Sequence, residues 1–451
     1  MEMGSIAKII SYNLESERVC ASAAKISTTK GNAYEIFEKS NDDEKNRELI
    51  KKVLSSGHKS VIEHAVFTIA LWNVSAFVEQ FFIECRLASF TVKSRRYVDF
   101  SGLGYHVPSD LSDRSRKHYC QYMDMLFEGY RSMLDQGVPK EDARFLLPYS
   151  FHSNFYCTIN ARELLHVIRA IRCGRGRGIP ELESIADQLV SQLEERFPGL
   201  LFELSGAGEA APDLQETEQG RGMAEAVSFV DGADAGGVEL LQAPAQPKRI
   251  LETACRISQP NAAQPLELKA LLRSERPREL EQLSYSFVIS DITLSGITHI
   301  VRHRMQSILV PSLRSISYGR VIVPETIRND PALLDQYRNL LLKAGDVRKE
   351  AYEDPALRTY CYYYALSGNV TDLITTMNAR ELMLFIRLRA CSRAQWEIRD
   401  ISIRMLKHLR ASFPELFDHL GPTCYMDGRC PEGRLTCGKK DEVTLKFSQT
   451  L

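Results

Sequence analysis

The chain repeats itself. Asn160–Arg169 reads NARELLHVIR and Asn378–Arg387 reads NARELMLFIR, seven identities in ten positions at an offset of 218 residues. The same offset pairs Glu63 with Glu281, Arg86 with Arg304, Ser89 with Ser307, and Ser94-Arg95-Arg96 with Ser312-Leu313-Arg314. An offset held from Glu63 to Arg169 identifies two copies of one domain, which limits the fold to something a chain can build twice. Further on, Phe197-Pro198 pairs with Phe413-Pro414 at 216, a slip of two residues. The expected domains are residues 1–204 and 249–420, followed by a tail, 421–451. The intervening 205–248 is rich in Gly, Ala, Glu, Gln and Pro and cannot bury a core, so it is expected to be a linker. Its short apolar piece, Val238–Leu241, is expected to dock locally.

Periodicity predicts an α+β domain with a small antiparallel sheet and flanking helices. Ala65–Trp72 and its partner Leu283–Ile289 have strand-like β-branched and aromatic content. Tyr119–Leu134, Glu163–Ile171, Leu333–Leu342 and Glu381–Leu388 have helical apolar spacing. With 57 Lys+Arg against 58 Asp+Glu, a net charge of −1 excludes a strongly basic nucleic-acid binder. The sequence contains no apolar run of 18 residues or more, and its start does not read as a secretory signal, so no membrane partner is expected. Eleven cysteines, an odd count scattered through apolar segments, fit a reducing, cytoplasmic setting.

The densest polar constellation is Arg302-His303-Arg304 followed by Ser312-Leu313-Arg314. Guanidinium forks suit phosphate and carboxylate oxygens, and a histidine between them can hydrogen-bond a ring ligand. Arg-His-Arg, seven residues, then Ser is the pattern of flavin-dependent thymidylate synthases, and the chain resembles that family along most of both copies. The first copy carries Gly57-His58-Lys59-Ser60-Val61-Ile62-Glu63-His64, then Ser94-Arg95-Arg96, then Glu141-Asp142-Ala143-Arg144-Phe145-Leu146-Leu147-Pro148. The second carries Arg302-His303-Arg304, Asn378-Ala379-Arg380, Leu388-Arg389 and Ala394-Gln395-Trp396-Glu397-Ile398.

Each copy lacks what the other retains. In the first, Arg-His-Arg has become Glu84-Cys85-Arg86, Ile171 stands for Arg389, and the AQWEI segment reads Gly176-Arg177-Gly178-Ile179-Pro180. In the second, Tyr362 stands for Arg144, and the GHxSxxEH element reads Glu275-Arg276-Pro277-Arg278-Glu279-Leu280-Glu281-Gln282. The Asn-Glu pair that commonly precedes the motif serine is Thr91-Val92 in one copy and Leu309-Val310 in the other. Asn378 and Arg389, eleven residues apart, are expected on one helix face.

The resemblance implies a reaction: methylation of dUMP to dTMP, with methylenetetrahydrofolate as one-carbon donor and NADPH-reduced FAD as hydride source. It also implies that Arg302, His303, Arg304, Asn378, Arg380 and Leu384 bind FAD, with Ser60 and Glu63 from the first copy. Ser94, Arg96, Arg144, His299, Arg302 and Arg389 are implied to bind the nucleotide, with Arg389 catalytic at the uracil edge. A same-fold enzyme acting on another pyrimidine nucleotide, and a non-catalytic nucleotide-binding relative, are the alternatives. Family members assemble as homotetramers, so a homodimer of this duplicated chain is expected to form a pseudo-tetramer. In the tail, Cys424, Cys430 and Cys437 have thiolate chemistry suited to zinc or an iron–sulfur cluster. That count is one ligand short, with Cys391 or a histidine as the fourth, so an unligated Cys-rich tail is expected ahead of a metal site.

Overall fold

The computed structural model describes residues 4–205, 220–260 and 268–449. The chain forms two compact units, the first of residues 1–135, 147–221 and 346–365, the second of 136–146, 222–345 and 366–451. In the first unit β1 (Ile6–Tyr12), β2 (Val66–Ser75), β3 (Ala88–Val92) and β4 (His152–Asn160) form a sheet in the order β1-β2-β4-β3. The second unit adds a parallel pair, β5 (Ser228–Asp231) with β9 (Arg320–Val323). Its main sheet has the matching order β6-β7-β10-β8, from β6 (Gly237–Gln242), β7 (Ser284–Thr293), β8 (Gln306–Leu309) and β10 (Val370–Asn378). All pairings within the two four-stranded sheets are antiparallel. Alternation drives them: Phe67, Ile69 and Leu71 point into one core and Tyr285, Phe287 and Ile289 into the other.

The duplication is visible in backbone detail. Asn73 and Asp291, 218 residues apart, both adopt positive φ, 52° and 53°. Each donates its backbone N–H to a side-chain oxygen on the neighbouring strand, Asn154 Oδ1 at 3.3 Å and Asp372 Oδ1 at 2.9 Å. Short Asx acceptors hold a strand irregularity that a β-branched residue would resist.

The compact units do not coincide with the sequence copies. Residues 136–146 of the first copy fold with the second unit, where Phe145 joins Ala235, Ile322 and Val370 in a buried cluster. Phe145 O also accepts from Gly368 N at 3.0 Å. The counterpart, 346–365, folds with the first unit, where Tyr364 O accepts from Tyr122 Oη at 2.9 Å and Tyr362 packs on Phe77. The linker expectation needs correction. Residues 206–219 lie outside the described residues, but 237–242 form the edge strand of the second sheet, with Val238 opposite Ile289. Val238–Leu241 therefore docks as part of the fold.

One difference between the copies is a traded core contact. In the first unit Arg95 and Glu79 form a buried ion pair at 3.0 Å, with Ser153 Oγ also donating to Glu79. At the same repeat positions the second unit has Ile297 and Leu313, both buried. A buried charge left without its partner is costly, whereas replacing the whole pair by apolar groups of similar size is often tolerated. Arg95→Leu should therefore destabilise the protein by about 3–5 kcal/mol, and Glu79→Ile together with Arg95→Leu should recover most of the loss, as read by urea denaturation.

Candidate active site

In the second unit, β7 ends at Thr293, which caps the short helix Leu294–Ile300 by accepting from Gly296 N at 2.8 Å. That helix delivers His299 and then Arg302-His303-Arg304. Its start is closed by Glu397, buried, which accepts from Thr293 N at 2.7 Å and Thr293 Oγ1 at 2.6 Å. A Cβ on Gly296 would lie 2.8 Å from Glu397 Oε2, so a bare α-carbon is needed for the acid to approach. Burial pushes the Glu397 carboxyl up to about 7, against the Thr293 hydrogen bonds and the Arg144 charge, which favour its ionised form.

Arg302 and Arg304 are exposed, while the ring of His303 between them is buried. His303 Nδ1 lies 2.8 Å from Glu381 Oε1, and Arg389 Nε donates to His303 Nε2 at 3.0 Å. Arg389 Nη2 also reaches His299 O at 3.4 Å. Phe385 meets the imidazole edge-on, with ring centroids 4.9 Å apart. Burial, with the Arg389 charge, lowers the His303 pKa against the opposing pull of Glu381, so the ring is neutral at physiological pH.

The helix Ala379–Arg389 holds the other expected groups. Asn378 is its N-cap, with Oδ1 accepting from Glu381 N at 2.9 Å. Asn378 therefore stands at the start of the helix with its side-chain oxygen on the backbone. Arg380 pairs with Glu281 at 2.6 Å. That hydrogen bond, aided by Arg278, holds the Glu281 carboxyl below its ordinary range. At helical spacing Arg380, Leu384 and Leu388 make one stripe. Leu384 and Leu388 are 46% and 48% exposed and Met305 is 67% exposed, so apolar surface lies open on elements that also carry arginines. This combination of apolar surface and guanidinium groups fits a planar ring cofactor bearing phosphates.

Arg144 belongs to this unit because of the exchanged segment, and its side chain is buried. Two residues earlier, Asp142 Oδ1 accepts from Trp396 Nε1 at 2.8 Å and Asp142 Oδ2 from Thr326 Oγ1 at 2.7 Å. The pair Asp142 and Arg144 thus meets the pair Trp396 and Glu397, so the structure brings Arg144 into the unit of His299, Arg302, His303, Arg304, Asn378, Arg380, Leu384 and Arg389. Glu381, Glu397 and Asp142 were not singled out as site residues from the sequence. The repeat could have identified Glu397: at the later offset of 216 its partner is Glu181, a shared acid that the AQWEI comparison at 218 passes over.

Ser60, Glu63, Ser94 and Arg96 belong to the first unit. Ser60 is exposed on a 3-10 turn, Glu63 pairs with Arg162 at 2.6 Å, and Ser94 Oγ accepts from Arg96 N at 3.3 Å. At the Arg-His-Arg positions of that unit, Glu84 is paired with Arg175, and burial pushes the Cys85 thiol up to about 12. Glu181 accepts from Ser75 N at 2.8 Å, and from Ser75 Oγ, Ser5 Oγ and Tyr363 Oη at 2.6 Å each. Burial opposes its ionisation, but His106 and these donors together hold it below the ordinary carboxylate range. Cys424, Cys430 and Cys437 are partly buried free thiols. Among the described residues no group of three or more His, Cys, Asp or Glu side chains is placed to hold a metal ion, and no helix is long and apolar enough to cross a membrane.

The model of the thymidylate synthase complementing protein family matches residues 8–199 and again 239–415. The chain belongs to that family, as an enzyme with two tandem copies of its fold. Similar proteins include the flavin-dependent thymidylate synthase of Geobacter sulfurreducens, 33% identical over 174 residues, 38% of this chain and 75% of that protein. The flavin-dependent thymidylate synthase of Clostridium tetani is 33% identical over 196 residues, covering 39% and 78%. A solved structure, the UMP/dUMP methylase PolB of Streptomyces cacaoi bound with 5-Br dUMP, is 24% identical with a TM-score of 0.39, covering 47% of this chain and 99% of that one.

The two equivalent acids predict opposite pH behaviour. A carboxyl whose pKa is raised on folding stabilises the fold below its unfolded value and loses that contribution as pH rises through its folded value. Glu397→Gln should therefore remove a loss of stability of up to about 3 kcal/mol between roughly pH 4.5 and pH 7. Glu181, lowered on folding, contributes above its unfolded value and loses that contribution as pH falls, so Glu181→Gln should destabilise the protein at neutral pH. Urea midpoints measured across pH 4–8 for both variants check the pair of signs.

Proposed function

We propose that the chain is a flavin-dependent thymidylate synthase that methylates dUMP, with methylenetetrahydrofolate as one-carbon donor and NADPH as reductant. The observation that carries this reading is the gathering in the second unit of Arg144 from one copy with Arg302, His303, Arg304, Arg380 and Arg389 from the other. Membership of the family and the names of the two bacterial relatives support it. FAD, once reduced, would supply the hydride and help transfer the one-carbon unit to C5 of the uracil. Arg302 and Arg304 would take its phosphates, and the stripe Arg380–Leu384–Leu388, with Met305, would face its ring.

The residues proposed for the nucleotide have distinct tasks. Arg144 would hold the 5′-phosphate, since a dianion needs convergent guanidinium donors. Arg389 would sit at the O2/N3 edge of the base, where negative charge develops, and so would affect turnover more than binding. His299, whose carbonyl accepts from Arg389, would support that edge. The positions of the missing Asn-Glu pair, with Leu309 67% exposed in the second copy, motivate the second reading, a different pyrimidine nucleotide as acceptor.

Incubation with dUMP, methylenetetrahydrofolate and NADPH should yield dTMP; a methylated product from another pyrimidine nucleotide, with dUMP inert, would select the second reading. Arg302→Ala with Arg304→Ala should bleach the purified protein. Arg389→Ala should lower kcat about 100-fold or more, whereas Ile171→Ala at the matching position should leave it unchanged. Nucleotide titration should give one equivalent per chain.

A homodimer of the chain is part of the same reading. Both units expose apolar groups at matching repeat positions: Leu87 at 63% and Met305 at 67%, Tyr156 at 55% and Ile374 at 40%. Light-scattering mass should be twice that of the chain, and a fully active single chain would exclude the dimer.

A further inference from the structure

We propose that Glu381 is a positioning residue for Arg389, acting through His303, a role that rests on the pyrimidine methylation proposed above. The argument begins with proton accounting. A guanidinium has donors only, so His303 Nε2, 3.0 Å from Arg389 Nε, must be an acceptor. The ring proton is then on Nδ1, and it is donated to Glu381 Oε1 at 2.8 Å. Carboxylate, neutral imidazole and guanidinium form one directed series in which each hydrogen bond fixes the next. Donation from Nδ1 to an anion makes Nε2 a stronger acceptor, which tightens the hold on Arg389 Nε.

The series is rigid at both ends. The backbone of Glu381 is pinned by the Asn378 cap, and the imidazole is held by the edge of Phe385. The carboxylate of Glu381 and the ring of His303 are buried, with side-chain exposures of 6% and 4%, so water does not compete for the imidazole. The contacts of Arg389 include two bonds of different kind, Nε to the imidazole and Nη2 to the carbonyl of His299. Two anchors on a planar group set its plane, which a single ion pair does not. Through the imidazole, Glu381 also places negative charge near a partly buried guanidinium.

The first copy contains its own control. Glu163 occupies the position of Glu381, and its backbone N–H donates to Asn160 Oδ1 at 2.9 Å in the same capping arrangement. The next two members are Cys85 and Ile171, so the helix start is retained without the series. A merely structural role for a glutamate at this helix position should therefore show equally in both copies.

The test uses the full-length chain labelled with 15N-histidine, with His303→Gln assigning the resonance. At neutral to mildly alkaline pH the wild-type His303 should be the Nδ1–H tautomer, and Glu381→Ala should shift it toward a mixture. An Nε2–H tautomer or an imidazolium in the wild type, or a tautomer insensitive to Glu381→Ala, overturns the proposal. In kinetics, Glu381→Gln and Glu381→Ala should lower kcat roughly 10- to 100-fold while the nucleotide KM stays within about threefold. Glu163→Gln and Glu163→Ala should leave both unchanged. Equal losses from the Glu163 and Glu381 variants, or a rise in KM with kcat intact, would also overturn it. A wild type that methylates no pyrimidine nucleotide sinks the functional reading alone, and the tautomer then decides the hydrogen-bonded series by itself.

Discussion

A buried carboxylate at the junction of strand and helix organises each unit. Glu181 and Glu397 both accept a backbone N–H and a hydroxyl from the residue that ends the strand and starts the helix, Ser75 or Thr293. Burial raises the cost of either charge by a similar route. What differs is what else arrives. Tyr363, Ser5 and His106 saturate Glu181, whereas Glu397 has Arg144 and Gln395 as its further partners. Tyr363 and Arg144 both lie on the exchanged segments, so the crossing of the chain decides which acid is saturated by hydroxyls and which is kept beside a cation.

The same division recurs at other positions. Arg302 in one copy corresponds to Glu84 in the other, where the acid is engaged by Arg175. Arg389 corresponds to the buried Ile171, and His303 to a neutral Cys85 thiol. In the opposite sense, the ion pair Glu79–Arg95 corresponds to the apolar Ile297 and Leu313. Each exchange replaces a group that could meet an anion with one that packs or closes a local pair, or the reverse. A duplicated domain permits this because each half still supplies its sheet to the fold.

Much of this was legible in the sequence. β-Branched and aromatic content marks β2 and β7 as strands, and helical spacing marks the helices starting after Asn160 and Asn378. The constant offset identified the duplication. The exchange of 136–146 against 346–365 was not legible, because identical offsets say which residues correspond and nothing about which sheet they pack on. The edge strand Gly237–Gln242 was read as a docking piece inside a linker, since four apolar-leaning residues between polar stretches lack a period. Asn378 carries two signals at once: an asparagine ahead of a Glu three residues later is an N-terminal capping signal, and its eleven-residue spacing to Arg389 is a helix-face signal.

The exchange also limits how the chain can be divided. Residues 249–420 look from their motifs like a complete second copy with Arg-His-Arg, the Asn378 helix and AQWEI. Taken alone they would lack Phe145 and Ala235, which pack with Ile322 and Val370, and the edge strand that pairs with β7. The indole N–H of Trp396 would lose its Asp142 acceptor, and Glu397 would lose the Arg144 charge while remaining buried. An acid kept from water without a cation tends to bind a proton instead. The copy that carries most of the candidate site therefore depends on eleven residues, 136–146, contributed by the copy that lost the Arg-His-Arg element.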